Sequence, residues 1–175
     1  MVWILFYALA AGDLYAKPAR LWRREYIKNG VIRHYIDKAR WSWVDIEDVA
    51  RGCGRFLAGS GKAQWSEWSD LSAWHQAATY DQIAAIFTEV IGQPFSYEAR
   101  PPEEFYRNVL AAGAEPAYMK CVFDLFAELT NGTAVEPDEV FDNLPAIIGR
   151  KPRTWADFAK KHGHKFRYQL TEKIV

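Results

Sequence analysis

The chain has 175 residues, half of them apolar, which is enough for one domain with a core of its own and too few for two of ordinary size. Formal net charge is zero and the isoelectric point is near 6.9, so bulk charge selects no polyanion, and nucleic acid is not an expected partner. Cys53 and Cys121 lie inside apolar helical patterns without a CxxC pair or a histidine at ligand spacing; they read as buried small hydrophobes in a reducing compartment, with no metal site expected.

At the N-terminus, MVWILFYALAAGD carries an Ala-Leu-Ala triplet of the kind that precedes cleavage, but no basic region stands before its apolar run. That run is far below the ~20 residues that cross a bilayer, so a buried strand or helical turn in a cytoplasmic protein is expected, with no membrane contact. Residues 14–30 show helical spacing, with Leu21, Trp22 and Tyr26 apolar amid Arg23, Arg24 and Lys28, and Asn29-Gly30 as the stop. Extended pieces follow at 31–36 and 41–44, the second rich in aromatic and β-branched residues.

Asp45 then caps a helix whose first turn holds Glu47 and Asp48, where the helix dipole favours carboxylates. Val49, Cys53, Phe56 and Leu57 are predicted to share its inner face. Gly52 and Gly54 each weaken a helix by up to ~1 kcal/mol relative to Ala, which implies close packing on a neighbour. Residues 64–77, QWSEWSDLSAWHQA, read as irregular.

The stretch 79–100 is the most legible. Thr79 and Gln82 have capping-box spacing, Ile83, Ile86, Phe87, Val90 and Ile91 form one apolar stripe, and Gly92 and Pro94 end the helix. Phe95 and Tyr97 then alternate against Ser96 and Glu98, as in a half-buried strand. Further helices are predicted from Pro102, with Phe105, Val109 and Leu110 inward, and from Pro116, with Tyr118, Val122, Leu125, Phe126 and Leu129 on one face. A short strand at 133–135, a short helix at 138–144 and a last helix capped by Thr154 and Asp157, burying Trp155 and Phe158, complete the chain.

No catalytic residue can be named. Ser42, Ser66, Ser69, Ser72 and Ser96 lack a G-x-S-x-G setting, no Tyr-x-x-x-Lys pair is present, and His34, His75, His162 and His164 form no constellation. Asp45, Glu47 and Asp48 are explained by their place at a helix start. Eight tryptophans are many for this length. Trp41 and Trp43 share one strand face, and Trp65, Trp68 and Trp74 fall in the irregular segment, so they either stack a planar ligand or cover apolar surface.

The succession WSWVDIEDVARGCGRFL, TYDQIAAIFTEVIGQPFSYEARPPEEF and IIGRKPRTWADFAKKH resembles the C-terminal half of the NmrA-like, atypical short-chain dehydrogenases. That group includes type 2 NAD(P)H:quinone oxidoreductases and festuclavine dehydrogenases. The resemblance covers residues 24–166, leaving 1–23 unmatched and 167–175 as a tail within a single domain. It implies a truncated, Rossmann-derived α/β or α+β fold, and the residue pattern predicts a helix-rich domain around a small sheet that includes 31–36, 41–44 and 95–99. It further implies an oxidoreductase acting on, or binding, a small aromatic or polycyclic molecule, with NAD(P)H as the family cofactor and secondary metabolism as a setting. In the family the helical pair beginning near Pro102 and Pro116 lies over the substrate, which makes Tyr106 and Tyr118 pocket candidates beside Trp41 and Trp43.

Two departures from the family stand out. No G-x-G-x-x-G turn opens a helix after a strand: Gly52-x-Gly54 lies within a helical pattern and Gly59-x-Gly61 follows one. Residues 64–77 also replace the family's strand and Leu-Thr-Gly-Pro-like turn. The chain is therefore expected to hold no dinucleotide itself. A reductase relative, a cofactor-free cyclase, isomerase or binding protein, and an interaction module all stay open. A homodimer, or association with another chain, is expected, with Trp41, Trp43 and residues 3–9 at or near its interface.

Overall fold

The computed structural model describes residues 27–58, 75–111, 113–140 and 142–169. The first described element is a hairpin. Strand β1 (Ile27–Lys28) runs antiparallel to β2 (Val31–His34), pairing Ile27 with Ile32 and Lys28 with Val31. Asn29 and Gly30 join them at φ 54° and 76°, the two positive values that a tight two-residue hairpin turn needs. Asn29-Gly30 thus turns a hairpin where a helix end was expected, and residues 14–26 of that predicted helix lie outside the described residues.

Strand β5 (Ser96–Ala99) pairs with β2 in parallel, from Val31 opposite Ser96 to His34 opposite Ala99. A parallel pair requires a long crossover, and helices supply it here. Between the two strands come β3 (Trp41–Trp43), α1 (Ile46–Leu57), β4 (Gln76–Ala78) and α2 (Tyr80–Ile91). β3 does not join β2 and β5 in one sheet as expected: it pairs antiparallel with β4, so there are two small sheets, β1-β2-β5 and β3-β4. The reason lies in its hydrogen bonds. One edge of β3 takes β4, with Trp43 Nε1 donating to the Ala78 carbonyl at 3.2 Å, and Ser42 N–H donates to the Pro137 carbonyl at 2.9 Å.

Helix α2 follows its sequence closely. Thr79 and Gln82 form the reciprocal capping box, and Gly92 closes the helix at φ 76°. Tyr80, Ile83, Ala84, Phe87 and Ile91 are buried, while Ile86 and Val90 sit at the margin of the core. The Thr88 hydroxyl donates to the Ala84 carbonyl and accepts from Phe95 N–H at 2.8 Å, tying the helix to the entry of β5.

Helices α3 (Pro102–Ala111) and α4 (Pro116–Asn131) pack together, burying Phe105, Val122, Leu125, Phe126 and Leu129. The last elements are α5 (Leu144–Ile148), α6 (Trp155–His162) and a 3-10 turn (Gly163–Lys165). Thr154 and Asp157 form the second capping box, and Trp155 and Phe158 are buried, as the sequence predicts. Residues 133–135 form no strand, and the helix expected over 138–144 begins only at Leu144. Glu136 at φ 44° and the following Pro137 turn the chain there.

The core is aromatic. Tyr80 is sandwiched between His34 at 4.7 Å and Tyr97 at 4.9 Å, both stacked, while Trp43 meets Tyr80, Trp41 and Trp155 edge-on at 5.5, 4.5 and 5.0 Å. A second cluster joins Val44 to Leu144 and Ile148, with Val49 and Ile147 against it. Gly52 packs closely at that contact, where a Cβ would stand 3.2 Å from the Ile147 side chain, whereas Gly54 faces open space. Both cysteines are exposed, against expectation. α1 turns Asp48 and Val49 inward and α4 turns the Val122 stripe inward, which leaves Cys53 and Cys121 on outer faces. No helix among the described residues is long and apolar enough to cross a membrane.

Candidate functional site

Two places gather chemistry-bearing side chains. The first is the junction of α1 with the chain entering α6. Asp45 caps α1 by accepting Glu47 N–H at 2.7 Å, and Asp48 one turn on is fully buried. Asp48 accepts from the Arg150 guanidinium and, at 2.7 Å, from Arg153 N–H. Glu47 accepts from Arg153 and Lys161, and Arg153 also stands 3.7 Å from Asp45. Beside this clasp a shallow cleft is lined by Trp43, Val44, Asp45, Gln76, Arg153, Thr154 and Trp155.

Its electrostatics follow from burial and pairing. The hydrogen bonds from Lys161 and Arg153 hold the Glu47 carboxyl at about 2. Burial pushes Asp45 above the usual carboxylate range, partly countered by Glu47 N–H, and burial lowers His75. Three carboxylates face three cations, Arg150, Arg153 and Lys161. Each side chain is engaged by another, so the arrangement fastens α6 to α1 and leaves no unmatched charge aimed at a ligand. The sequence assigned Asp48 only to the helix dipole. The missed signal is the pair of arginines in GRKPR, a stretch that contains no carboxylate of its own.

The second place is the outer face of the helical pair. Tyr106 of α3 is half-buried, with its ring 5.4 Å from that of Phe123 in α4. Lys120 Nζ lies 5.7 Å over the Phe123 ring and bonds Asp124 at 2.5 Å. Tyr118 is 44% exposed in the first turn of α4. The four sequence candidates therefore separate into two groups. Tyr106 and Tyr118 sit on neighbouring helices with surface open to solvent, whereas Trp41 and Trp43 are 1% and 4% exposed in the core. Trp41 has almost no surface to offer a ligand or a partner, and Trp43 reaches only the wall of the cleft. Trp65, Trp68, Trp74 and residues 3–9 lie outside the described residues.

A dinucleotide pyrophosphate binds helix N-termini whose N–H groups are free and whose first turn carries no negative charge. The starts of the described helices of eight residues or more are otherwise arranged. Asp45 fills that of α1, the Thr79–Gln82 box with Asp81 that of α2, Glu115 that of α4 and the Thr154–Asp157 box that of α6, while Glu103 and Glu104 stand in the first turn of α3. These five described helix starts do not fit the pyrophosphate of NAD(P)H.

Two small sheets, one holding a parallel pair with a helical crossover, and a helical pair packed beside them make a fold similar to that of Rossmann-derived NAD(P)-binding reductases. The chain is 25% identical over 134 residues to an NAD(P)H azoreductase of Xenophilus azovorans, a match covering 75% of this chain and 44% of that protein. It superposes on a Citrobacter sp. triphenylmethane reductase, crystallised with NADP(H), with a TM-score of 0.56 at 18% identity, over 79% of this chain and 46% of that one. An NADPH-dependent quinone oxidoreductase of Escherichia coli gives 0.54 at 17% identity, over 92% and 52%. The chain thus spans about half the length of the relatives it matches. No family profile matches it.

Proposed function

We propose that these 175 residues form the substrate-side part of an NmrA-like reductase, presenting the α3–α4 face to a small aromatic or polycyclic molecule. The observation that carries this reading is the half-buried Tyr106–Phe123 ring pair, with Tyr118 exposed on the same helical pair, in a chain similar to an azoreductase. Flat aromatic rings recognise flat aromatic ligands by stacking and by burying apolar area. In this reading the nicotinamide cofactor is held by a glycine-rich unit outside this sequence, because the longer described helices begin with their own caps or with first-turn carboxylates.

The test titrates the chain with a triphenylmethane dye, an azo dye and a quinone, following dye absorbance, and separately with NADPH. Saturable dye binding in the micromolar range, weakened about tenfold by Tyr106→Ala, is expected, with no NADPH binding below millimolar. Dye binding that ignores both Tyr106→Ala and Tyr118→Ala would remove the assignment of this face. The filled helix starts also favour a second reading, a cofactor-free binding protein or isomerase. Adding a dinucleotide-binding half from a reductase relative separates the two, since only the first gains NADPH-dependent dye reduction.

A further inference from the structure

Among the described residues, the large apolar side chains most open to solvent are Tyr118, Val135 and Val140, and the two valines flank one turn. Val135 is 89% exposed and Val140 47%. Between and beside them Glu136, Glu139 and Asp142 are exposed, Asp138 is paired with Arg40 at 3.6 Å, and residues 133–142 include no basic side chain. The turn is held in place. Buried Ser42 donates from its backbone to the Pro137 carbonyl at 2.9 Å and from its hydroxyl to the Glu139 carbonyl at 2.5 Å. Thr133 N–H and Ala134 N–H both close on the Glu128 carbonyl, and Glu136 is kept at φ 44°, which a non-glycine residue adopts only under constraint from its surroundings. A fixed apolar tip ringed with carboxylates is built to meet a basic surface.

The same chain offers one. Lys160 at the end of α6, then His164, Lys165 and Arg167, are exposed, and residues 158–168 contain no carboxylate; Lys161 beside them is already held by Glu47. We propose that the 135–140 tip docks on the lysine-rich end of α6 in a second copy of the chain. A two-fold pair satisfies this, each copy giving one tip and receiving one. It relocates the homodimer surface expected from the sequence, since Trp41 and Trp43 are inside the core. Two valines are a small apolar contact, so the pairing is weak and strongly dependent on salt.

Analytical ultracentrifugation of the chain across concentration tests the proposal. The expected result is micromolar self-association at low salt, weakened about tenfold both by roughly 0.5 M NaCl and by Val135→Ser with Val140→Ser. A charge swap supplies the specificity. Glu136→Lys with Glu139→Lys, and separately Lys160→Glu with Lys165→Glu, should each give monomers that associate when mixed, with thermal midpoints showing that both variants are folded. A wild-type chain that stays monomeric at several hundred micromolar in low salt overturns the proposal and leaves the tip to a different partner. Association unchanged by the valine and charge variants overturns it as well, by placing the interface elsewhere.

Discussion

Replacing Asp48 tests what fastens the C-terminal helix to the fold. Its carboxylate is fully buried and accepts from the Arg150 guanidinium and from Arg153 N–H. Breaking a buried ion pair by deleting one partner costs about 3–5 kcal/mol, because the other charge is stranded. The Arg150 side chain is 32% exposed and can turn partly to water, which places Asp48→Ala at the low end, about 3 kcal/mol. Asp48→Asn keeps the volume and an acceptor for Arg153 N–H, and is expected to lose about half as much. For a chain of this length 1 kcal/mol moves the thermal midpoint by about 2–4 °C, so Asp48→Ala should lower it by roughly 6–12 °C. Urea unfolding followed by tryptophan fluorescence measures the loss directly, and adding Arg150→Met to Asp48→Ala should recover more than about 1 kcal/mol if the stranded guanidinium is the cause. A loss below about 0.5 kcal/mol, the size of an ordinary surface substitution, would refute the reasoning.

Burial among Tyr80 and Phe126 pushes the His34 imidazole down to about 3. It is then neutral in the folded state while the unfolded chain takes up a proton below pH ~6.5, so its contribution to stability is complete above that pH and is lost on acidification, by roughly 2 kcal/mol at pH 5. Urea midpoints compared at pH 7 and 5 check this, and His34→Phe should show a smaller drop than wild type; an equal drop would remove His34 as the cause. Two glycines should respond oppositely to alanine. At Gly30, φ is 76° and a Cβ would collide with the Pro94 carbonyl and the Tyr168 hydroxyl, so Gly30→Ala should cost more than about 2 kcal/mol. At Gly54, within α1 and facing open space, alanine should stabilise by up to about 1 kcal/mol. Melting curves that move in the same direction would contradict the pair.

Elements written in local chemistry could be read without the structure. α2 and α6 begin at their capping boxes, and α2 and α4 end at glycines near φ 70°, because those signals lie within a few residues of the helix they delimit. What escaped depends on residues distant in the chain. β3 chose β4 and the Pro137 segment over β2, Asp48 found Arg150 across 102 residues, and the Trp41–Trp43 face turned into the core because Tyr80 and Trp155 were there to receive it. Asn29-Gly30 is ambiguous as a local signal, since the same pair ends helices and turns strands, and here it turns the β1–β2 hairpin. At the candidate site the tyrosines were placed by resemblance, and the structure adds the Phe123 ring and the Lys120–Asp124 pair that set the character of that face.

The edge-on chain Trp41–Trp43–Trp155 has an optical consequence. Its ring centres are 4.5 and 5.0 Å apart with planes inclined at 69° and 80°. Indoles this close and this far from parallel exchange excitation, and their transitions split into a pair of circular dichroism bands of opposite sign superimposed on the peptide signal. A helix content taken from the far-ultraviolet spectrum would absorb that couplet as an error. The same couplet is a reporter of one particular contact, because Trp41 and Trp43 stand on β3 and Trp155 opens α6. Its collapse during unfolding, timed against the loss of peptide ellipticity, would tell whether the C-terminal helix leaves the sheet before the helices themselves melt.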